Sequence, residues 1–269
     1  MRVLLPTISL AWREILRFAR QRTRVIGALG QPVIFWVLFG AGLQSSFRLP
    51  GAAAIGGPSY QEYFLPGVAV MILLFTAIFS TISIIEDRRD GFLQGVLASP
   101  APRLSIVLGK LCGGTVLAVL QAALFVCLSP LLRLLGMTAN LPPPFPWTDF
   151  PAICLFMALI AFALTALGFL MAWPMKSTQG FHAIMSIFLM PMWLLSGAFF
   201  PAPAGWLRIV LLANPLSYGV AGLRRLLSPV DSSVVQGLPA MSTCLWATTA
   251  FALIGTLAGT WLINRKPGE

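Results

Sequence analysis

Residues 63–85 read YFLPGVAVMILLFTAIFSTISII, a run of 23 residues without a single charged side chain. A helix needs about 20 apolar residues to cross the hydrocarbon core of a bilayer. Five further stretches have the same character: Val25–Leu43, Val107–Ser129, Pro151–Trp173, His182–Phe200 and Ser242–Ile263. The sequence therefore predicts an all-α integral membrane protein with six transmembrane helices.

Composition favours a single membrane domain. Hydrophobic residues make up 58% of the 269 residues and charged residues only 10%, whereas a soluble domain carries roughly 25% charged residues. The connections between the stretches are short, so no sizeable soluble domain fits beside them. The formal net charge is +10, but the basic residues flank the apolar stretches and form no soluble basic face. No nucleic-acid partner is expected.

The distribution of basic residues predicts the orientation in the membrane. With both termini in the cytoplasm, thirteen of the 18 Lys and Arg residues lie on the cytoplasmic side, Lys110 among them, and five lie outside: Arg48, Arg133, Arg208, Arg224 and Arg225. Cytoplasmic loops carry such an excess of Lys and Arg. We expect a multi-pass protein of the cell (inner) membrane with both termini cytoplasmic.

Residues 1–24 form an amphipathic helix ahead of the six-span domain 25–269. From about Ile8 to Arg24, apolar residues repeat at helical spacing on one side and arginines repeat on the other. Such a helix lies in the membrane interface. We expect it to contact membrane lipid, with its arginines at anionic headgroups. It serves as a topology anchor, as an elbow that frames a partner's docking surface, or as both. The residues that define it are Trp12, Arg13, Arg17 and Arg20.

A dense charge cluster follows the second apolar stretch, which we expect to end at Glu86. Residues 86–97 read EDRRDGFLQGVL, with the apolar pairs Phe92/Val96 and Leu93/Leu97 at helical spacing. The sequence ASPAP at 98–102 then breaks the chain before the third stretch. We predict a short, charged, helix-like segment on the cytoplasmic side.

The region 197–225 is apolar but interrupted by prolines, by glycine and by the pair Asn214-Pro215. If it crossed the membrane there would be seven spans, and the basic C-terminal end would lie outside. We therefore predict a re-entrant or outer-leaflet hairpin between spans five and six. Irregular backbone at membrane depth needs protein or a water-filled cavity to satisfy it, which makes this hairpin a candidate element of a pathway.

Motifs for chemistry are sparse. No G-x-x-x-x-G-K-[ST] loop occurs, because Gly109-Lys110 is followed by Leu111 and lacks the upstream glycine. The four cysteines form no C-x-x-C pair, which favours simple packing and no metal site. The interiors of the spans offer no ionisable residue to bind a coupling ion. This favours an external energy source over an ion-coupled carrier.

Three features together resemble the membrane (permease) subunit of type-2 ABC exporters, and within that family its drug-resistance and nodulation-type branch. The first is the basic amphipathic helix before span one. The second is EDRRDG at 86–91, continuing through SPAPR at 99–103 to Gly109-Lys110. The third is MPMWLLSGAFFP at 190–201, followed by NPLSY at 214–218. The resemblance covers essentially the whole chain.

The resemblance implies a permease dimer, made with a second copy or a paralogous permease, above two cytoplasmic ABC ATPase subunits. Those subunits would bind ATP and Mg, so this chain would be no enzyme and would hold no cofactor. The segment 86–97 would couple to the ATPase, unless it is only a solvated loop. Its coupling residues would be Glu86, Asp87, Arg88, Arg89, Asp90, Gly91 and Phe92. The hairpin 197–225 would help to close the outer exit, through Gly197, Pro201, Asn214, Pro215 and Tyr218, unless Asn214-Pro215 is only an ordinary helix break.

Two other functions compete with export. One is a membrane scaffold or assembly subunit without transport of its own. The other is a membrane enzyme, which the missing acid, base and metal residues disfavour. The cargo of an exporter is not readable from the residues; apolar span surfaces fit a hydrophobic drug, a lipid or a lipid-linked glycan.

Overall fold

The structure is a computed structural model that describes residues 3–20, 22–43, 59–134, 149–201, 205–229 and 232–264. These residues form eleven helices, and the described part of the chain contains no strand. The helices are α1 (Leu4–Ala19), α2 (Arg22–Gly42), α3 (Tyr60–Ser80), α4 (Ile82–Arg89), α5 (Phe92–Ala98), α6 (Arg103–Leu134), α7 (Phe150–Ala172), α8 (Thr178–Leu194), α9 (Trp206–Ala213), α10 (Pro215–Leu227) and α11 (Met241–Asn264).

The apolar stretch 63–85 lies in the central helical span of the fold, Tyr60–Arg89. α3 begins after Ser59, whose hydroxyl accepts a hydrogen bond from the Glu62 backbone N–H at 3.1 Å and so caps the helix. A helix that is apolar on all sides belongs in an interior. α3 accordingly packs against α2, α6, α7 and α10, and Phe64, Val68 and Leu73 are fully buried.

Four helical spans are long and apolar enough to cross a membrane: Tyr60–Arg89, Arg103–Leu131, Phe150–Ala172 and Met241–Asn264. α9 and α10 would add a fifth if they counted as one span, but they bend by 83° at Asn214. α2 has a shorter apolar section, Gly30–Gly42, and α8 has 17 residues. The chain is thus a multi-pass helical membrane protein among its described residues, and the full six-span arrangement stays a prediction.

The second span continues past its predicted end. We expected it to stop at Glu86, but α4 carries the helix on to Arg89. The segment 86–97 is therefore the last turn of α4, a turn at Asp90-Gly91, and the short helix α5. Gly91 has φ +77°, a left-handed conformation that glycine adopts without steric cost. The turn thus separates the charged half of the segment from its apolar half.

The N-terminal helix is present, but its bounds and its orientation differ from the prediction. α1 ends at Ala19, and Arg22 already belongs to α2. The spacing of the basic residues continues across this junction, so the sequence did not reveal the break. Arg13 and Arg17 bond to carboxylates of α4 and not, as we expected, to lipid headgroups. Arg20 ends the helix and is exposed.

The apolar side of α1 faces outward. Leu4, Ile8 and Trp12 are 61%, 55% and 58% exposed. Because its charges are paired within the protein, the helix turns its apolar side to the surface, where it can contact acyl chains.

Two glycines of α6 allow α1 to lie close to it. A Cβ added to Gly109 would lie 2.6 Å from Leu10 Cβ, and one added to Gly113 would lie 2.8 Å from Glu14 Cβ. Small residues spaced four apart let membrane helices approach closely. The Gly109–Gly113 pair therefore forms the seat on which α1 crosses α6.

Substitution of this seat should destabilise the protein. We expect Gly113→Ala to lower the free energy of unfolding by about 1–3 kcal/mol, because the added methyl group forces α1 away from α6. Thermal unfolding in detergent, followed by tryptophan fluorescence, measures the effect. Gly95→Ala on α5 is the matched control, since nothing lies within 4 Å of its added Cβ. Helix propensity predicts an unchanged or higher Tm for that control. Equal Tm values for both variants would contradict the close seat.

Candidate functional site

Six charged side chains from three helices meet where α1 crosses α6, beside the end of α4. We call them the six-charge cluster: Arg13, Glu14 and Arg17 of α1, Glu86 and Asp87 of α4, and Lys110 of α6. Three are basic and three are acidic, so their formal charges balance. Since a buried charge is costly unless it is paired, this balance allows the cluster to exist inside the protein.

Asp87 is the centre of the cluster and is completely buried. Arg13 binds it with two parallel hydrogen bonds, from Nη2 to Oδ1 at 2.7 Å and from Nη1 to Oδ2 at 3.0 Å. Arg17 Nη1 donates to Oδ1 at 2.9 Å, and Lys110 Nζ donates to Oδ2. Such forked pairs fix geometry as well as supplying energy. The bonds to Asp87 raise the pKa of the Arg13 guanidinium above its ordinary value, so this guanidinium stays charged.

Lys110 joins the third helix to the cluster. Its Nζ donates to Glu14 Oε1 at 2.6 Å and to Ser83 Oγ at 3.0 Å, and the residue is 5% exposed. Together with Asp87 these bonds use all three donors of the ammonium group. The sequence indicates only that Lys110 lies at the inner end of a span, and neither Lys110 nor Glu14 was predicted as a site residue. The available signal was the one acidic residue in an otherwise basic amphipathic helix.

The remaining charges at the end of α4 divide between inward and outward positions. Glu86 is half-buried and accepts a hydrogen bond from Arg17 Nη2 at 2.7 Å. Arg88 donates to the carbonyls of Trp173 and Met175, at 2.6 and 3.1 Å, which ties α4 to the end of α7. Terminal carbonyls of a helix lack intrahelical partners, so Arg88 satisfies groups that would otherwise need water.

The outward part of the segment is the turn and α5. Arg89, Asp90, Gly91 and Phe92 are all exposed. Leu93 is buried and anchors α5. The Arg13 guanidinium lies 3.7 Å from the centroid of the Phe92 ring, a cation–π geometry. The exposed side of α5 is therefore held directly against the six-charge cluster.

The predicted hairpin consists of α9 and α10, which meet at Asn214. The Asn214 side chain caps α10 by accepting from the Leu216 backbone N–H at 3.0 Å. Its Nδ2 donates to the Met192 carbonyl at 2.6 Å. Met192 lies in the last turn of α8, where carbonyls lack helical partners. Asn214 thus fixes the bend and links it to the preceding helix, while Pro215 occupies the first position of α10, where its missing N–H costs nothing.

The other predicted hairpin residues have different surroundings. Tyr218 donates to the Leu212 carbonyl of α9 at 3.0 Å, so it adds a second side-chain link across the bend. Gly197 has φ +76°, and its carbonyl accepts from the Tyr63 hydroxyl at 2.8 Å and from Arg224 Nη2 at 3.0 Å. Pro201 is half-buried after α8. Arg224, which we had placed among the outer charges, is buried against α3 and was not predicted as a site residue.

A large apolar cavity of about 560 Å³ opens between α2, α3 and α8. Its wall is mainly aromatic and thioether side chains, with a few polar groups at intervals. The principal lining residues are Phe35, Met71, Phe75, Phe79, Met190, Gln31, Thr76 and His182. Cavities of this size and character bind small, largely apolar molecules. Among the described residues, no three His, Cys, Asp or Glu side chains come together to hold a metal ion.

The described residues thus form a multi-pass helical membrane protein with a buried charge cluster at one end and a bent helix pair at the other. Residues 7–228 match the family described as ABC-2 type transporter, and the chain belongs to that family. It is 26% identical over 220 residues to a putative transport permease ycf38 from Cyanophora paradoxa, covering 80% of this chain and 72% of the relative. It is 23% identical over 223 residues to the daunorubicin resistance ABC transporter permease protein DrrB1 from Streptomyces coeruleorubidus, covering 82% and 74%. The resemblance predicted from the sequence is confirmed, and the chain is a transport permease of the ABC-2 type.

Proposed function

We propose that this chain is the transmembrane subunit of an ATP-driven exporter and couples to a separate cytoplasmic ATPase that binds ATP and Mg. The observation that carries the proposal is the attachment of α5 to the six-charge cluster. α5 exposes a turn and an aromatic ring to a partner, while the cluster behind it joins α1, α4 and α6. A displacement of α5 would therefore be transmitted to α1, α4 and α6 together.

The cavity between α2, α3 and α8 supports a translocation path at a permease dimer, with a second copy or a paralogous permease. α2 and α8 also expose apolar residues that no described helix covers, among them Leu38 at 63% and Ile187 at 78%. A second permease would close this side of the cavity. The apolar lining favours a hydrophobic drug, a lipid or a lipid-linked glycan as cargo, and the name of one relative points to a drug.

The bent pair α9–α10 supports the role of an outer gate. Each helix is too short to cross about 30 Å of hydrocarbon, since they have 8 and 13 residues at 1.5 Å each. Asn214 holds the bend to α8, one of the helices that line the cavity. Movement of α8 would thus reach the hairpin directly, while α10 stays packed on α3, α7 and α11.

Reconstitution with a cytoplasmic ATPase tests the proposed energy source. We expect the purified permease alone to hydrolyse no ATP, because its sequence contains no phosphate-binding loop. We expect hydrolysis from an assembly of two permeases and two ATPase subunits, measured by phosphate release and by the mass of the complex. An ATPase lacking its phosphate-binding lysine is the control. ATP turnover by the permease alone, free of contaminants, would refute the proposal.

Reporter fusions test the proposed topology. We expect a reporter fused after Glu269 to be active only in the cytoplasm and one inserted next to Ser233 to be active only outside, because six spans place both termini inside. The paired activities of a cytoplasmic and an exported reporter at each position measure this. An outside signal at Glu269 would mean that α9 and α10 form a seventh crossing.

A further inference from the structure

A second cavity, of about 710 Å³, lies between the two helices of the hairpin and the loop before α11. Arg224, which contacts Tyr63, places it at the start of the span Tyr60–Arg89. That span has 30 residues, or about 45 Å at 1.5 Å per residue. The cavity and the six-charge cluster therefore lie at opposite ends of one helix, and this cavity is separate from the one between α2, α3 and α8.

The charged side chains that line this cavity are both basic, Arg208 and Arg224, among the residues that the structure describes. Arg224 is only 3% exposed. Its described hydrogen bonds use Nη2 alone, and its Nε has no partner within the described ranges. Ser217 Oγ, also at the cavity wall and buried, likewise has no partner there. A buried donor without a partner is costly, so these two groups indicate a missing acceptor.

The rest of the wall is mainly apolar. Leu211, Val220 and Leu238 line it beside the basic residues. An occupant must therefore carry an anionic acceptor at one end and hydrocarbon at the other. α9 contains no buried residue and exposes Trp206 and Ile209 by 72% and 70%, so its outer side suits acyl chains. Phospholipids lie beside such a surface and match the chemistry of the cavity.

We propose that this cavity binds an anionic phospholipid, with the phosphate of its headgroup near Arg208, Arg224 and Ser217 and its first acyl carbons along the apolar wall. Guanidinium groups pair well with phosphate because they offer several donors in a fixed plane. A bound lipid would brace the hairpin between α9 and α10. The binding does not depend on the transport proposal; only the assignment to the outer side of the membrane rests on the proposed topology.

Native mass spectrometry of the purified permease, without ATPase or cargo, tests the site. We expect dioctanoyl phosphatidylglycerol to bind about tenfold more tightly than dioctanoyl phosphatidylcholine, a difference of about 1.4 kcal/mol. Arg208→Gln should remove most of that preference, and it should fold because α9 buries nothing. Ser217→Ala should weaken binding in the same direction by a smaller factor.

Two further measurements distinguish binding at this site from bulk charge attraction and from binding of phosphate alone. Lys176→Gln also removes one positive charge, but from an exposed residue at the opposite end, next to the Met175 carbonyl that accepts from Arg88. It should leave binding unchanged, and an equal loss would indicate bulk charge attraction and overturn the site. Inorganic phosphate at matched concentration should not displace the lipid, since it lacks the apolar part. Displacement by phosphate, or equal affinity for the two lipids, would also overturn the proposal.

Discussion

Asp87→Ala is expected to lower the free energy of unfolding by about 3–5 kcal/mol, the cost of removing one partner from a buried ion pair. Asp87 accepts from Arg13, Arg17 and Lys110 and is completely buried. Its loss would leave a net positive charge under α1, and Lys110, 5% exposed, could not reach water without moving a helix. Thermal unfolding in detergent and the monodisperse yield after purification measure the effect.

Asp90→Ala is the matched control, because Asp90 is the same residue type three positions along and is exposed in the turn before α5. It should change stability by no more than about 0.5 kcal/mol. Asp87→Asn combined with Lys110→Met removes one charge of each sign and should be less destabilising than the two single changes added together. If the stability losses of Asp87→Asn and Lys110→Met are additive in the double variant, the two residues are not energetically coupled. If Asp87→Ala and Asp90→Ala are equally stable, the cluster does not stabilise the fold through Asp87.

Much of the fold was predictable because the length of an apolar stretch is enough to indicate a membrane-spanning helix. The spans Tyr60–Arg89 and Phe150–Ala172 each contain a long apolar run, residues 63–85 in the first of them, and no competing structure satisfies their backbone in a bilayer. The break at Asn214-Pro215 was predictable for a local reason, since Asn favours a cap and Pro cannot continue an existing helix. In both cases the residues that decide the structure are neighbours in the chain.

The six-charge cluster was not predictable in the same way. The spacing of Arg13 and Arg17 is typical of a helix that binds lipid headgroups. They point into the protein because they pair with Asp87, which lies about 70 residues later in the chain. The burial of Arg224 was likewise not predictable, because its partners are Tyr63 of α3 and the Gly197 carbonyl just after α8. The Gly109–Gly113 pair did offer a local signal, because small residues at this spacing mark close helix contacts. Its partner helix, however, follows only from the packing.

Phe92→Ala is expected to weaken binding of the ATPase subunit with little effect on folding. Phe92 is 36% exposed on α5, and its neighbour Leu93 keeps that helix anchored. Truncating an aromatic anchor of a protein interface costs 2 kcal/mol or more, which is roughly a 30-fold loss of affinity. Within the permease the same change removes the cation–π contact with Arg13, worth about 0.5–1 kcal/mol, together with the packing of a ring that is about one third exposed. Surface plasmon resonance with immobilised permease measures the affinity, and Tm measures the stability.

The two effects can be separated with a control of the same type at the other end of the molecule. Phe200 is 59% exposed and follows Phe199, whose carbonyl accepts from Tyr60 at the start of α3. Phe200→Ala removes the same type of exposed aromatic ring as Phe92→Ala does, but at the other end of the molecule. It should therefore leave the affinity for the ATPase unchanged. If Phe92→Ala binds the ATPase as tightly as Phe200→Ala does, the Phe92 ring on α5 does not contact the ATPase and the coupling role must lie elsewhere. If Phe92→Ala loses affinity only together with a large drop in Tm, the ring acts by holding α5 to the six-charge cluster and not by contacting the ATPase.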